Sequence, residues 1–177
     1  MREARITGRI EAEARFSQGI YFSADTSRST VEIELAPLEG GLFRAEITVD
    51  GAPEWMSLNI SLETGDFAIG DVIGIIADLR APDPFDIHPF IRTDHGGTCR
   101  DTPLAETLTV SSSGGTSILF HPVAASDPLT DGAGFHTLVL PLPHRSLTFD
   151  LQDFRLLHVA SGEGMPAISE TLGSRSV

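Results

Sequence analysis

Six histidines are scattered along the chain of 177 residues: His88, His95, His121, His136, His144 and His158. Two or three of them on one sheet face would bind a metal or hydrogen-bond a ligand. None stands in an HxH or HExxH spacing, so any site must be assembled by the fold. His121 and His136 fall in the middle of what read as successive strands, which makes them candidate neighbours. Asp78 and Arg80 are two apart in an extended segment, so they share one face. Arg92 joins them if the following strand pairs with theirs. Such a cluster offers a planar donor fork beside a carboxylate acceptor, which suits hydroxyls or a carboxylate. Left in water, the same residues are a surface ion pair of little energetic consequence.

The run Asp94-His95-Gly96-Gly97-Thr98-Cys99-Arg100-Asp101 reads as a polar, glycine-rich loop, with His95 and Arg100 as candidate contacts. A connection between two sheets would use the same residues. Trp55, the only tryptophan, offers a ring that stacks on a sugar or packs at a strand edge. Cys99 is the only cysteine, which excludes an internal disulfide and a cysteine-rich zinc site. As a nucleophile it would need a basic neighbour. Asp25, Asp50, Asp66, Asp71, Asp127 and Asp131 are loop carboxylates that would suit a structural calcium, although none has EF-hand spacing. No G-x-S-x-G occurs and no carboxylate pair stands out, which weighs against an enzyme.

The elements that must position these residues are strands. Period-two alternation marks Arg9 to Phe16, Gly19 to Ala24, Thr30 to Ala36, Leu42 to Val49 and Trp55 to Leu62. Asp50-Gly51 reads as a hairpin turn between the last two. Gly70 to Arg80 is apolar on both faces, as a central strand should be, and Pro82 and Pro84 end it. Ile87 to Thr93, Thr107 to Ser111, Ser117 to Val123, Phe135 to Leu140 and Leu147 to Val159 follow, the last with a bulge or turn near Asp150 to Asp153. Ala125 to Thr130 makes at most one helical turn. The expectation is an all-β, two-sheet antiparallel sandwich of jelly-roll type with about ten strands and little or no helix. Residues 1–160 form the single domain and 161–177 a polar tail.

The net charge is −13, and all twelve basic residues are arginine. That balance argues against nucleic acid as a partner, while an arginine cluster still suits an anionic sugar. No apolar run reaches the roughly 20 residues of a membrane-spanning helix. The first residues show no signal-peptide pattern, so the chain is expected in the cytoplasm or as a module of a longer or otherwise exported protein.

Two stretches resemble a known family. Leu58 to Leu62, a short turn, then Gly70 to Arg80 looks like the long central strand of galactose-binding-like and carbohydrate-binding-module jelly rolls. Leu147 to Val159 looks like their closing strand, which pairs back near the N-terminus. The resemblance spans roughly residues 15 to 160. It implies a non-catalytic carbohydrate-binding module that recognises a polar or anionic glycan on a concave sheet face. Asp78, Arg80, Arg92, His121 and His136 would be central contacts, with Trp55, His95 and Arg100 peripheral. The alternatives are a structural or assembly jelly roll (spike, fibre or capsid-associated, with a homo-oligomer as partner) and a small glycan-active β-sandwich enzyme.

Overall fold

A computed structural model describes residues 6–10, 13–17, 19–65, 67–132 and 134–162. Asp66 and residues 163–177, which include most of the expected tail, lie outside the described residues. Among the described residues fourteen strands form: β1 (Ile6–Arg9), β2 (Glu13–Ser17), β3 (Ile20–Ala24), β4 (Ser29–Pro37), β5 (Phe43–Gly51), β6 (Met56–Gly65), β7 (Val72–Arg80), β8 (Phe85–Ile87), β9 (Phe90–His95), β10 (Thr98–Pro103), β11 (Leu108–Val110), β12 (Thr116–Pro122), β13 (Gly134–Pro141) and β14 (Leu147–Val159). One 3-10 turn, Pro128–Thr130, falls inside the stretch expected to make a helical turn.

The strands build two six-stranded antiparallel sheets. The first has the order β1-β4-β5-β14-β7-β12 and the second β10-β9-β13-β6-β3-β2, while β8 and β11 pair separately. The chain therefore forms the expected all-β sandwich. It has more strands than about ten because short pieces split the longer segments. Pro89, for instance, separates β8 from β9, since proline cannot donate to a ladder.

Alternation along each strand sends one set of side chains inward. Val31, Ile33 and Leu35 of β4, Phe43, Ala45 and Ile47 of β5, and Ile73, Ile75, Ala77 and Leu79 of β7 are all buried. The second sheet answers with Phe22, Leu58, Ile91, Leu138 and Leu140. Phe22 of the second sheet meets Phe43 and Phe149 of the first at ring-centroid distances of 6.4 Å, and those two lie 6.3 Å apart. This edge-to-face and tilted trio is the centre of the core.

Three expectations about connections are corrected. Asp50-Gly51 is not a hairpin turn: β5 belongs to the first sheet and β6 to the second. Gly51 pairs with Ser29 at φ 102°, and buried Pro53 lies on the crossing to the other sheet. The stretch from Asp94 is not an open loop but the β9–β10 hairpin, turning on Gly96 and Gly97. Both glycines have positive φ, 64° and 97°, as a two-residue hairpin turn compatible with strand twist requires. The closing strand β14 does not lie beside the N-terminal strand. It sits between β5 and β7, and β1 pairs with β4 instead. The expected bulge in β14 is present between Leu151 and Asp153.

Candidate functional site

The strand-sharing rule places Asp78 and Arg80 together, on the outer face of β7 in the first sheet. Arg80 Nη2 lies 3.2 Å from Asp78 Oδ2. Arg92 does not join them. After Pro82 and Pro84 the chain leaves the first sheet, and β9 pairs with β10 and β13 in the second. The expected Asp–Arg–Arg cluster is therefore divided between the two sheets.

The histidines are divided in the same way. His121 lies on β12 of the first sheet and His136 on β13 of the second, and the 3-10 turn lies on the connection between them. His121 Nε2 is 3.0 Å from Asp127 Oδ2, an acceptor that also takes the Ala124 N–H. His136 is fully buried, its Nδ1 3.0 Å from the Thr93 hydroxyl and its ring against Phe67. The two histidines therefore do not come together. His95 Nε2 donates to the Pro128 carbonyl at 3.3 Å, and Arg100 pairs with Asp131. Those bonds pin the β9–β10 hairpin to the 3-10 turn.

Among the described residues, no group of three or more His, Cys, Asp or Glu is placed to hold a metal. Two of the loop carboxylates that would suit calcium accept chiefly from backbone N–H groups. Asp25 accepts from the Ser27 and Glu54 N–H groups, and Ser27 foremost holds its carboxyl below the usual aspartate range. Asp71 accepts from Ala68, Ser161 and His158.

Arg92 faces a different assembly. On the outer face of the second sheet, the strand register aligns Asp101, Arg92, Thr137 and Ser61 in one row. The next row holds Pro103, Phe90, Val139, Asn59 and Tyr21. Over these rows lies a groove of about 560 Å³, lined by Tyr21, Ser23, Trp55, Ser57, Asn59, Phe90, Arg92 and Thr137, among others. It therefore gathers the only tyrosine and the only tryptophan of the chain with one phenylalanine. Trp55 is 48% exposed, so it is not packed away at the strand edge. Its backbone is held in place: the Trp55 carbonyl accepts from the Asp25 N–H, and the Glu54 N–H donates to the Asp25 carboxylate.

Arg92 donates through Nε and Nη2 to the two carboxylate oxygens of Asp101, both at 2.8 Å. Its guanidinium carbon lies 5.3 Å from the centroid of the Phe90 ring. The bidentate pair and the cation–π contact fix the guanidinium plane. Asn59 and Ser57 share a side-chain hydrogen bond, and Asn59 Nδ2 donates to the Ser23 hydroxyl at 3.2 Å. The floor of the groove is thus a linked set of donors and acceptors between aromatic rings.

Arg92 and Trp55 are the residues legible in sequence that the groove uses. Tyr21, Phe90, Asn59 and Asp101 were missed. Phe90-x-Arg92 has the same two-residue spacing as Asp78-x-Arg80, and that signal was available.

No protein-family model matches the sequence, and no curated protein matches it. Solved structures match in fold. The CBM22-1 xylan-binding domain from Paenibacillus barcinonensis Xyn10C aligns with a TM-score of 0.54 and 14% identity, covering 91% of this chain and 99% of that one. A CBM4 structure gives 0.57 at 14% identity, covering 86% and 95%. The Family 11 Carbohydrate-Binding Module of the cellulosomal cellulase Lic26A-Cel5E of Clostridium thermocellum gives 0.52 at 13%, covering 89% and 98%. The chain has the jelly-roll fold of carbohydrate-binding modules. At such identities the likeness is one of fold, and function must be argued from the site.

Proposed function

We propose that the chain is a non-catalytic carbohydrate-binding module and that the groove over the second sheet holds the glycan. The observation that carries this reading is the gathering of Tyr21, Trp55 and Phe90 around Arg92, Asn59 and Ser57 in one groove. Aromatic faces take the apolar C–H face of a sugar ring, and the polar floor takes its hydroxyls. Arg92 is matched by Asp101, so the groove carries little net charge and favours a polar, neutral chain over an anionic one. Among the described residues no Asp or Glu lines the groove, whereas a glycosidase sets two carboxylates across its cleft. The fold likeness to a xylan-binding domain makes xylan the first polysaccharide to try.

Affinity electrophoresis on xylan, mixed-linkage β-glucan and galactan tests it. Retardation on at least one is expected, and Trp55→Ala or Tyr21→Ala should remove most of it while the fold persists. A folded wild-type chain that no polysaccharide retards would sink the reading.

One observation favours a second reading, a self-assembling jelly roll. On the outer face of the first sheet, Ile118, Phe120 and Leu157 are 53%, 56% and 43% exposed. Phe120 and Leu157 both flank Gly74, where an added Cβ would lie 3.4 Å from each. The occupant proposed for this face is a second copy of the chain.

A further inference from the structure

A second, smaller cavity opens on the outer face of the first sheet, opposite the groove. It measures about 190 Å³, the space of one sugar ring and not of a chain, and is lined by Arg44, Arg80, Ser112, Thr148, Asp150 and Pro82 among others. Three adjacent strands supply it: Asp150 of β14 is aligned with Arg44 on β5 and with Arg80 on β7.

The two arginines leave unused donors. Arg44 spends Nε and Nη2 on the oxygens of Asp150, at 2.7 and 2.9 Å. Arg80 spends the same edge on Asp78, but at 3.4 and 3.2 Å, which is a weak pairing. A guanidinium has five N–H donors. In each case Nη1 and one N–H of Nη2 have no partner among the described residues. Arg80 is also held from behind. A Cβ at Gly114 would fall 2.3 Å from Arg80 Nε, so the Ser111–Gly115 loop packs directly on the guanidinium. In a chain of net charge −13, a place where two arginines stand against only two aspartates, Asp150 and Asp78, is a local exception. The Ser112 and Thr148 hydroxyls and the Asp150 carboxylate stand beside the arginines, where ring hydroxyls would lie.

We propose that this cavity is a second binding site, selective for a single carboxylated sugar, a uronate. The sugar carboxylate takes the free ends of Arg80 and Arg44, and its hydroxyls meet Asp150, Thr148 and Ser112. The proposal does not rest on the groove. The chain would then present a polar, aromatic site on one face and a uronate site on the other.

The test is an NMR titration of the 15N-labelled full chain with glucuronic acid, with glucose and acetate run in parallel at neutral pH. Glucuronate at millimolar concentration should shift signals of Arg80, Ser112, Gly114 and Thr148, and glucose should not. Arg80→Met should weaken binding about tenfold or more, the loss expected for charge-assisted bonds. Thr148→Val, which changes only the hydroxyl, should weaken it severalfold. Trp55→Ala should leave it unchanged, so failure here and failure of the groove reading are told apart. An equal response to acetate, an equal response to glucose, or unaltered binding by a folded Arg80→Met variant would each overturn the proposal.

Discussion

Arginine–aspartate pairs recur on both outer faces, and their geometry decides what each can recognise. Arg44, Arg80 and Arg92 all turn the Nε–Nη2 edge to their own aspartate. The pairs differ in closeness: 2.8 Å for both contacts of Arg92 with Asp101, but 3.2 Å or longer for Arg80 with Asp78. A tight pair, as Arg92 and Arg44 each make, fixes the guanidinium plane and balances its charge, leaving Nη1 as a hydrogen-bond donor. A loose one leaves a cation available. Lysine cannot reproduce the fork or the ring contact. Arg92→Lys should therefore keep the fold, because the side chain is half exposed, yet lower polysaccharide affinity about tenfold. Isothermal titration on a polysaccharide that retards the wild type checks this, and undiminished affinity would remove Arg92 from the site. Sequence alone exposed the one pair that lies within a single strand. Asp78 and Arg80 were readable because residues two apart share a face, but Asp101 reaches Arg92 only through the register of the β9–β10 hairpin. The glycines that make that hairpin carry the same signal in sequence as a loop.

At the scale of elements, most strands were legible, β10 was not, and sheet membership was not. Alternation in β4, β5 and β7 follows burial closely, since each has one face in the core. Which sheet receives the next strand depends on the crossing segments, and these carry no periodic signal. Gly51 is such a place: a side chain there would lie 2.5 Å from the Arg28 carbonyl, at a φ that L-residues resist. Gly51→Ala should cost about 1–3 kcal/mol, read as a fall in the denaturation midpoint with an unchanged slope. A second fastening is Asp71, which ties the start of β7 to the end of β14. Its carboxylate accepts from Ser161 N, Ala68 N and His158, and the Ser161 bond foremost holds its pKa well below the aspartate range. Folding thus stabilises the ionised form. The contribution is complete above the ordinary aspartate pKa near 3.9 and is lost as the pH falls through the depressed folded value. Asp71→Asn should lower stability at pH 7 by about 2 kcal/mol and flatten the acid-side decline. Thermal melts between pH 7 and pH 2 measure both, and a variant with wild-type acid sensitivity would exclude Asp71 as the cause.

At the scale of the whole molecule, the two outer faces of the sandwich differ in kind. The second sheet is polar and aromatic around its groove, while the first carries the uronate cavity at one end and the apolar cluster of Ile118, Phe120 and Leu157 elsewhere. That cluster lies beside β12, an edge strand. Edge strands recruit other chains through unpaired N–H groups, but here the Phe120 N–H is taken by the Glu106 carboxylate at 2.9 Å. That bond interrupts the free edge at Phe120 and leaves the exposed apolar face as the surface for association between copies. Two terms oppose each other. Burial of large apolar side chains favours contact, by about 25 cal/mol per Å² of apolar surface. Repulsion between two chains of net charge −13 opposes it. Salt acts on the second term, because the screening length falls from about 10 Å at 0.1 M to about 3 Å at 1 M. Sedimentation of the wild type should therefore show more dimer at 1 M than at 0.1 M salt. Phe120→Ser combined with Leu157→Ser should remain monomeric at both. A wild type that stays monomeric at 1 M salt would defeat the self-assembly reading and leave the apolar face without a partner of its own kind.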